Sequence, residues 1–120
     1  MKLRLYVLIA ALAYSLSSHA EYYSGNDLLH DMAGSTLEKA LAMGYVMGVA
    51  EAIRTVLDVE RIKLGKPLIP SFCIPVSGLP RQQVNDIVRK YLLDNPASRH
   101  EPAEAQVYGA LGESFPCPNK

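Results

Sequence analysis

The sequence has no excess of charge, with 12 lysines and arginines against 12 aspartates and glutamates in 120 residues. Nucleic-acid binding calls for a basic stripe, and attachment to a membrane surface calls for clustered lysine and arginine, so the balance argues against both. Cysteine is scarce: Cys73 and Cys117 are the only two, and they do not form a C-x-x-C pair. There is no low-complexity tract, and no period-2 alternation long enough to make a strand. Beyond residue 20 no apolar run reads as a membrane span. G-x-S-x-G, P-loop, G-x-G-x-x-G and H-E-x-x-H motifs are all missing, which removes the common nucleophilic, nucleotide-binding and zinc-protease chemistries.

What is present begins with a leader. Lys2 and Arg4 precede the apolar run Leu5–Leu16, and Ser18-His19-Ala20 places small residues where a signal peptidase reads. The run is about 12 residues long, short of the roughly 20 that a spanning helix requires. Residues 1–20 are therefore expected to be a cleaved signal peptide, cut after Ala20, and residues 21–120 a single exported domain. Without Lys2 and Arg4 that domain carries 10 basic and 12 acidic residues, a net charge of −2. In an oxidising compartment Cys73 and Cys117 are expected to pair. The loop they close, about 45 residues, corresponds to about 4 kcal/mol in the chain-entropy account. The rival reading, two unpaired buried thiols, fits a reducing compartment.

Gly and Pro divide the domain into four expected helices, an all-α fold. The first has Ser24 as N-cap with Asp27 three residues on, and ends at Gly34. Ser35 and Glu38 open the second in the same way. Its apolar residues Leu37, Leu41, Tyr45, Val49, Ala52, Ile53, Val56 and Leu57 recur at helical spacing to about Val59. Gly44 and Gly48, one turn apart, each cost about 1 kcal/mol relative to Ala, so another helix is expected to approach closely there, with Tyr45 as a packing residue. Prolines then exclude helix through a long connection, KLGKPLIPSFCIP. The third helix opens near Pro80, capped by Ser77 or Gly78, with Val84, Ile87, Val88, Tyr91 and Leu92 as its stripe. A second connection, DNPASRHE, leads to a fourth helix with Pro102 in its first turn and Ala103, Val107, Ala110 and Leu111 facing inward.

Chemistry is sparse. His30 and His100 stand alone without ligands at metal spacing, so no metal or cofactor is expected, and no enzyme. Cys73 would be a nucleophile only if unpaired. The two connections are the remaining candidates for a binding surface: Arg61, Lys63, Lys66, Leu68 and Ile69 in one, and Asn95, Ser98, Arg99 and His100 in the other. As plain solvated loops they would mark a periplasmic structural or protein-interaction module.

Taken in order, Ser24-Gly25-Asn26-Asp27-Leu28-Leu29, Met43-Gly44-Tyr45-Val46-Met47-Gly48-Val49, Phe72-Cys73-Ile74-Pro75, Gln83 with Val84, Val88 and Tyr91-Leu92, then Pro96 and Phe115-Pro116-Cys117 form a pattern. It resembles the immunity proteins of type VI secretion amidase effectors, the family named for resistance-associated proteins. The resemblance implies a small periplasmic helical protein, often a homodimer and not an enzyme, that occupies the cleft of an injected peptidoglycan amidase. Members of the family often carry a second cysteine pair; here those regions read His30-Asp31-Met32 and Leu41-Ala42-Met43. Met32 packing against Ala42 or Met43 is the expected substitute.

Overall fold

The computed structural model describes residues 21–65, 72–75 and 78–118; the expected leader, residues 1–20, lies outside them. Four α-helices run through the described residues: α1 (Gly25–Ala33), α2 (Thr36–Leu64), α3 (Arg81–Asp94) and α4 (Ala103–Ser114), with a 3-10 turn at Pro96–Ser98. No strand forms among them. Two isolated backbone bridges, Ser24 with Pro102 and Phe72 with Pro116, fasten the start of α1 and the first connection to the two ends of α4. The all-α four-helix expectation is met.

Both expected capping boxes form. The Asp27 amide donates to Ser24 Oγ (3.3 Å) while the Ser24 amide donates to Asp27 Oδ2 (2.9 Å). Ser35 and Glu38 repeat the exchange at 2.6 and 3.3 Å. Each box satisfies two amides that a helix start leaves without intrahelical partners.

Helix ends differ from expectation in two ways. α2 continues past Val59 to Leu64, because Glu60 to Leu64 contains only residues that propagate a helix. It stops at Gly65, whose φ of +68° suits a residue without a Cβ. Arg61 and Lys63 therefore sit on α2 rather than in a loop. Pro80 and Pro102 are the N-cap residues of α3 and α4, not first-turn residues, with extended ψ values of 136° and 139°. Gly78 lies two residues too early to cap α3, and Ser77 is outside the described residues.

The core joins Leu28 and Met32 of α1, Ala42, Val46 and Ala50 of α2, and Val84, Val88 and Leu92 of α3. Ala103, Val107, Ala110 and Leu111 of α4 complete it, with Phe72 from the first connection. For α3 and α4 this is the expected stripe. Met32 and Ala42 both lie in it, in the two regions where the family resemblance implies packing in place of a second bridge. For α2 the expected stripe is met in part: Tyr45, Val49, Ile53 and Leu57 pack against the core, whereas no described helix approaches Gly44 or Gly48, where a Cβ would meet nothing within 4 Å. Leu37 and Leu41 are 69% and 63% exposed, Ala52 and Val56 are also exposed, and the buried line is Ala42, Val46, Ala50. α2 is apolar on nearly every face, so periodicity alone does not select the buried one. The alanines win because they let α1, α3 and α4 pack near the α2 backbone. α2 is also long and apolar enough, by length and composition, to cross a membrane, contrary to the expectation for the chain beyond residue 20.

Candidate partner-binding surface

Cys73 and Cys117 are bridged, with Cα atoms 4.9 Å apart and a sequence separation of 44. The Cys73 amide donates to the Phe115 carbonyl (2.8 Å), and the Phe72 ring meets Tyr108 edge-on at 5.1 Å. The end of the first connection is thus held against the C-terminal end of α4. Both sulfurs are committed to the bridge, so neither is available as a nucleophile.

The second connection is held at the other end. The Asn95 amide and Nδ2 both donate to the Tyr91 carbonyl (3.0 and 2.9 Å), which ends α3. Gln106, 2% exposed, projects from α4 beneath the turn. Its Nε2 donates to the Ser98 carbonyl (2.9 Å) and, at 3.4 Å, to Glu101 Oε2, and its Oε1 accepts from Ser98 Oγ (3.3 Å). A buried amide with both ends engaged fixes the loop path.

The start of α1 completes the clamp. Its Gly25 and Asn26 amides donate to the carbonyls of Glu101 (3.0 Å) and Arg99 (2.8 Å), so a loop satisfies helix-start amides from outside. The Tyr22 hydroxyl donates to the His100 carbonyl (3.1 Å). A Cβ at position 25 would lie 2.8 Å from Gln106 Cγ and 3.0 Å from both the Arg99 carbonyl oxygen and Leu92 Cδ2. Gly25 is what permits this approach.

The nine residues expected to face a partner therefore divide, and Ser98 is one of those held from within, by Gln106. His100 is exposed on the clamped turn, its Nδ1 3.0 Å from the Ala97 carbonyl. Arg99 is half-buried, with its Nε enclosed and unpartnered among the described residues. Asn95 caps α3 instead of standing free. Lys63 is exposed near the end of α2, Arg61 lies on the same helix, and Lys66, Leu68 and Ile69 lie outside the described residues. The described ends of the two connections are separated by the 12 residues of α4, about 18 Å at 1.5 Å per residue. Sequence reasoning missed Gln106 and Gly25. The available signals were a glutamine inside the apolar stripe Ala103–Val107–Ala110, and a glycine directly after an N-cap.

A shallow groove of about 240 Å³ opens between α2, the bridged loop and α3, lined by Met47, Ile74, Leu79 and Leu111 with Arg54 and Arg81 at its edge. The fold also brings His30, Asp31 and Glu38 together, their ligand atoms within 4.8 Å of one another, which sequence spacing does not reveal. Both carboxylates already have roles: Asp31 accepts from the Tyr23 hydroxyl (2.7 Å) and Glu38 caps α2. The Ser35 hydrogen bonds hold the Glu38 carboxyl below its ordinary value, and the Ser24 hydrogen bonds do the same for Asp27. Burial, then Asp31, raises the Tyr23 hydroxyl; burial, then Glu104, raises Tyr45, which donates to Glu104 Oε2 (3.2 Å). The two rings meet edge-on at 5.0 Å. The arrangement offers a rigid, partly basic turn and no catalytic group assembly among the described residues.

No curated protein and no solved structure matches the chain. A family model does: that of the Rap1a immunity proteins matches residues 24–117, from the first capping serine to the last bridged cysteine. The chain belongs to the Rap1a immunity proteins.

Proposed function

We propose, with membership of the Rap1a immunity proteins as the premise, that this chain is an exported inhibitor of a peptidoglycan amidase effector delivered by type VI secretion. It acts in the periplasm, after removal of residues 1–20, as a non-catalytic protein, and it does so as a homodimer. The observation that carries the reading is the family match across residues 24–117. The Cys73–Cys117 bridge supports the compartment, since such bonds persist where the surroundings are oxidising.

Inhibition of this kind needs a surface that keeps its shape on docking, because ordering a loop at the moment of binding subtracts from affinity. The clamped turn at Ser98–Glu101 meets that need and presents Arg99 and His100. The basic and apolar residues Arg61, Lys63, Lys66, Leu68 and Ile69 supply the second set of contacts. A few of these anchors carry most of the binding energy.

The test is expression of periplasmic amidases, beginning with any encoded beside this gene, with and without the full-length protein. Suppression of lysis, and co-purification of the amidase, is the expected result. His100→Glu and Lys63→Glu should each weaken protection without unfolding the chain, as both side chains are exposed. If no amidase is neutralised and none co-purifies, the reading fails.

A further inference from the structure

We propose that His30, Asp31 and Glu38 form a binding site for a borderline divalent cation of the zinc class, which clips the end of α1 to the start of α2. The site stands apart from the amidase reading, because none of the three belongs to the partner-facing set and no effector enters the test.

Three ligands of mixed type meet at this joint. His30 and Asp31 stand in the last turn of α1 and Glu38 in the first turn of α2, with only Gly34 and Ser35 between the helices. One ligand atom from each lies within 4.8 Å of the others. A zinc ion bound at about 2.0–2.2 Å holds tetrahedral ligands roughly 3.4 Å apart, and three protein ligands leave a fourth position for water. The His30 ring is exposed and makes no hydrogen bond among the described residues, so rotation about its side-chain bonds closes the difference.

The two carboxylates are oriented by their present hydrogen bonds and not used up by them. Asp31 accepts from the Tyr23 hydroxyl through Oδ2 (2.7 Å), and Glu38 accepts from the Ser35 amide through Oε2 (2.6 Å). Asp31 Oδ1 and Glu38 Oε1 have no hydrogen-bond partner among the described residues. A hydrogen bond that fixes one oxygen and leaves the other to the ion is the outer-shell support that metal-binding carboxylates use. Gly34 makes room for it, since a Cβ there would collide with the Glu38 carboxylate.

Charge points the same way. The ion pairs among the described residues are Arg54 with Asp58 and Lys90 with Asp94, so no lysine or arginine there pairs with Asp31, Glu38 or the neighbouring Asp27. A positive charge on His30 would favour the ionised forms of both Asp27 and Glu38, which places the ring among these carboxylates. The imidazole separates the set from an ordinary acidic patch. Carboxylates alone suit calcium and magnesium, whereas imidazole suits zinc, copper and nickel. An ion held by both helices stabilises the folded chain alone, because unfolding disperses the ligands.

The protein, expressed from its full-length gene without a histidine tag, is purified with the bridge intact, stripped with EDTA and titrated calorimetrically with zinc chloride. One zinc per chain is expected, with a raised midpoint of thermal unfolding when it is bound. Tyr23→Phe removes the hydroxyl behind Asp31 but no ligand, and should weaken binding about 10–100-fold. His30→Ala, at an exposed position, should weaken it further and abolish the zinc-induced rise, with the metal-free midpoint unchanged. Glu38→Gln, which keeps an oxygen for the Ser35 amide, should also weaken it. Cobalt(II) should show the visible absorption of a tetrahedral site in wild type and not in His30→Ala. Three results would overturn the proposal. Absence of zinc binding would leave the triad as caps and packing, and equal affinity in wild type and His30→Ala would put the metal elsewhere on the chain. Calcium bound as tightly as zinc would reduce the site to an unselective acidic patch.

Discussion

Gly25→Ala adds a single methyl group, and on propensity alone it should be harmless or favourable, since Ala outranks Gly in helices. The structure gives it the opposite sign. The new carbon would sit 2.8 Å from Gln106 Cγ and 3.0 Å from the Arg99 carbonyl oxygen and Leu92 Cδ2. The Gln106 side chain cannot retreat freely, because its amide is tied to Ser98. The Arg99 carbonyl is backbone, and it accepts from the Asn26 amide. Overpacking of this kind costs about 1–3 kcal/mol. Set against a propensity gain below about 1 kcal/mol, the net loss is about 1–2 kcal/mol. For a domain of this size that lowers the midpoint of thermal unfolding by roughly 4–15 °C. Circular dichroism melts of wild type and variant, both with the bridge intact, measure it. A midpoint equal to or above wild type would show that the clamp between α1 and the second connection is not packed as described.

Other outcomes follow from the same geometry. Gln106→Leu keeps the apolar bulk but removes one of the two donors to the Ser98 carbonyl, the Glu101 amide being the other; a loss of about 0.5–1.5 kcal/mol in urea unfolding is expected, with faster hydrogen exchange at the Ser98–Glu101 turn. Replacing Cys73 and Cys117 by serine opens the loop and should lower stability by about 4 kcal/mol, read from denaturation with and without reductant. In protein diluted until monomeric, Gly48→Ala should stabilise by up to about 1 kcal/mol, because nothing crowds the site. Asp27 and Glu38 have folded pKa values below their unfolded ones, so their contribution is present above the unfolded values and is lost as pH falls through the folded values. The acid limb of a stability-against-pH curve should flatten in Asp27→Asn and Glu38→Gln; an unchanged limb would contradict the capping account.

The parts of this fold that were legible in the sequence are those set by local chemistry. Ser24 with Asp27 and Ser35 with Glu38 mark helix starts because each pair closes a hydrogen-bonded ring within one turn, with no help from the rest of the chain. The inner stripes of α3 and α4 were legible because polar residues stand on their other faces. α2 was not, because Leu37, Leu41, Val56 and Val59 make its outer face as apolar as its inner one. The choice between them depends on which face lets three other helices approach. The clamp on the second connection was hidden for a related reason. Gly25, Arg99 and Gln106 are far apart in sequence, and only the approach of α1 to the start of α4 gives the glycine and the buried amide their purpose. Asn95 read as a contact residue because it is a polar residue in a loop, whereas its side chain ends a helix.

The most direct test of the account is the release of stem-peptide fragments from purified peptidoglycan by a candidate amidase, titrated with this protein in its oxidised form. The account predicts that activity falls in proportion to added protein and reaches zero near equivalence, with His100→Glu shifting the curve to higher concentration. Undiminished fragment release at a large excess of protein, for every type VI amidase encoded alongside it, would contradict the account.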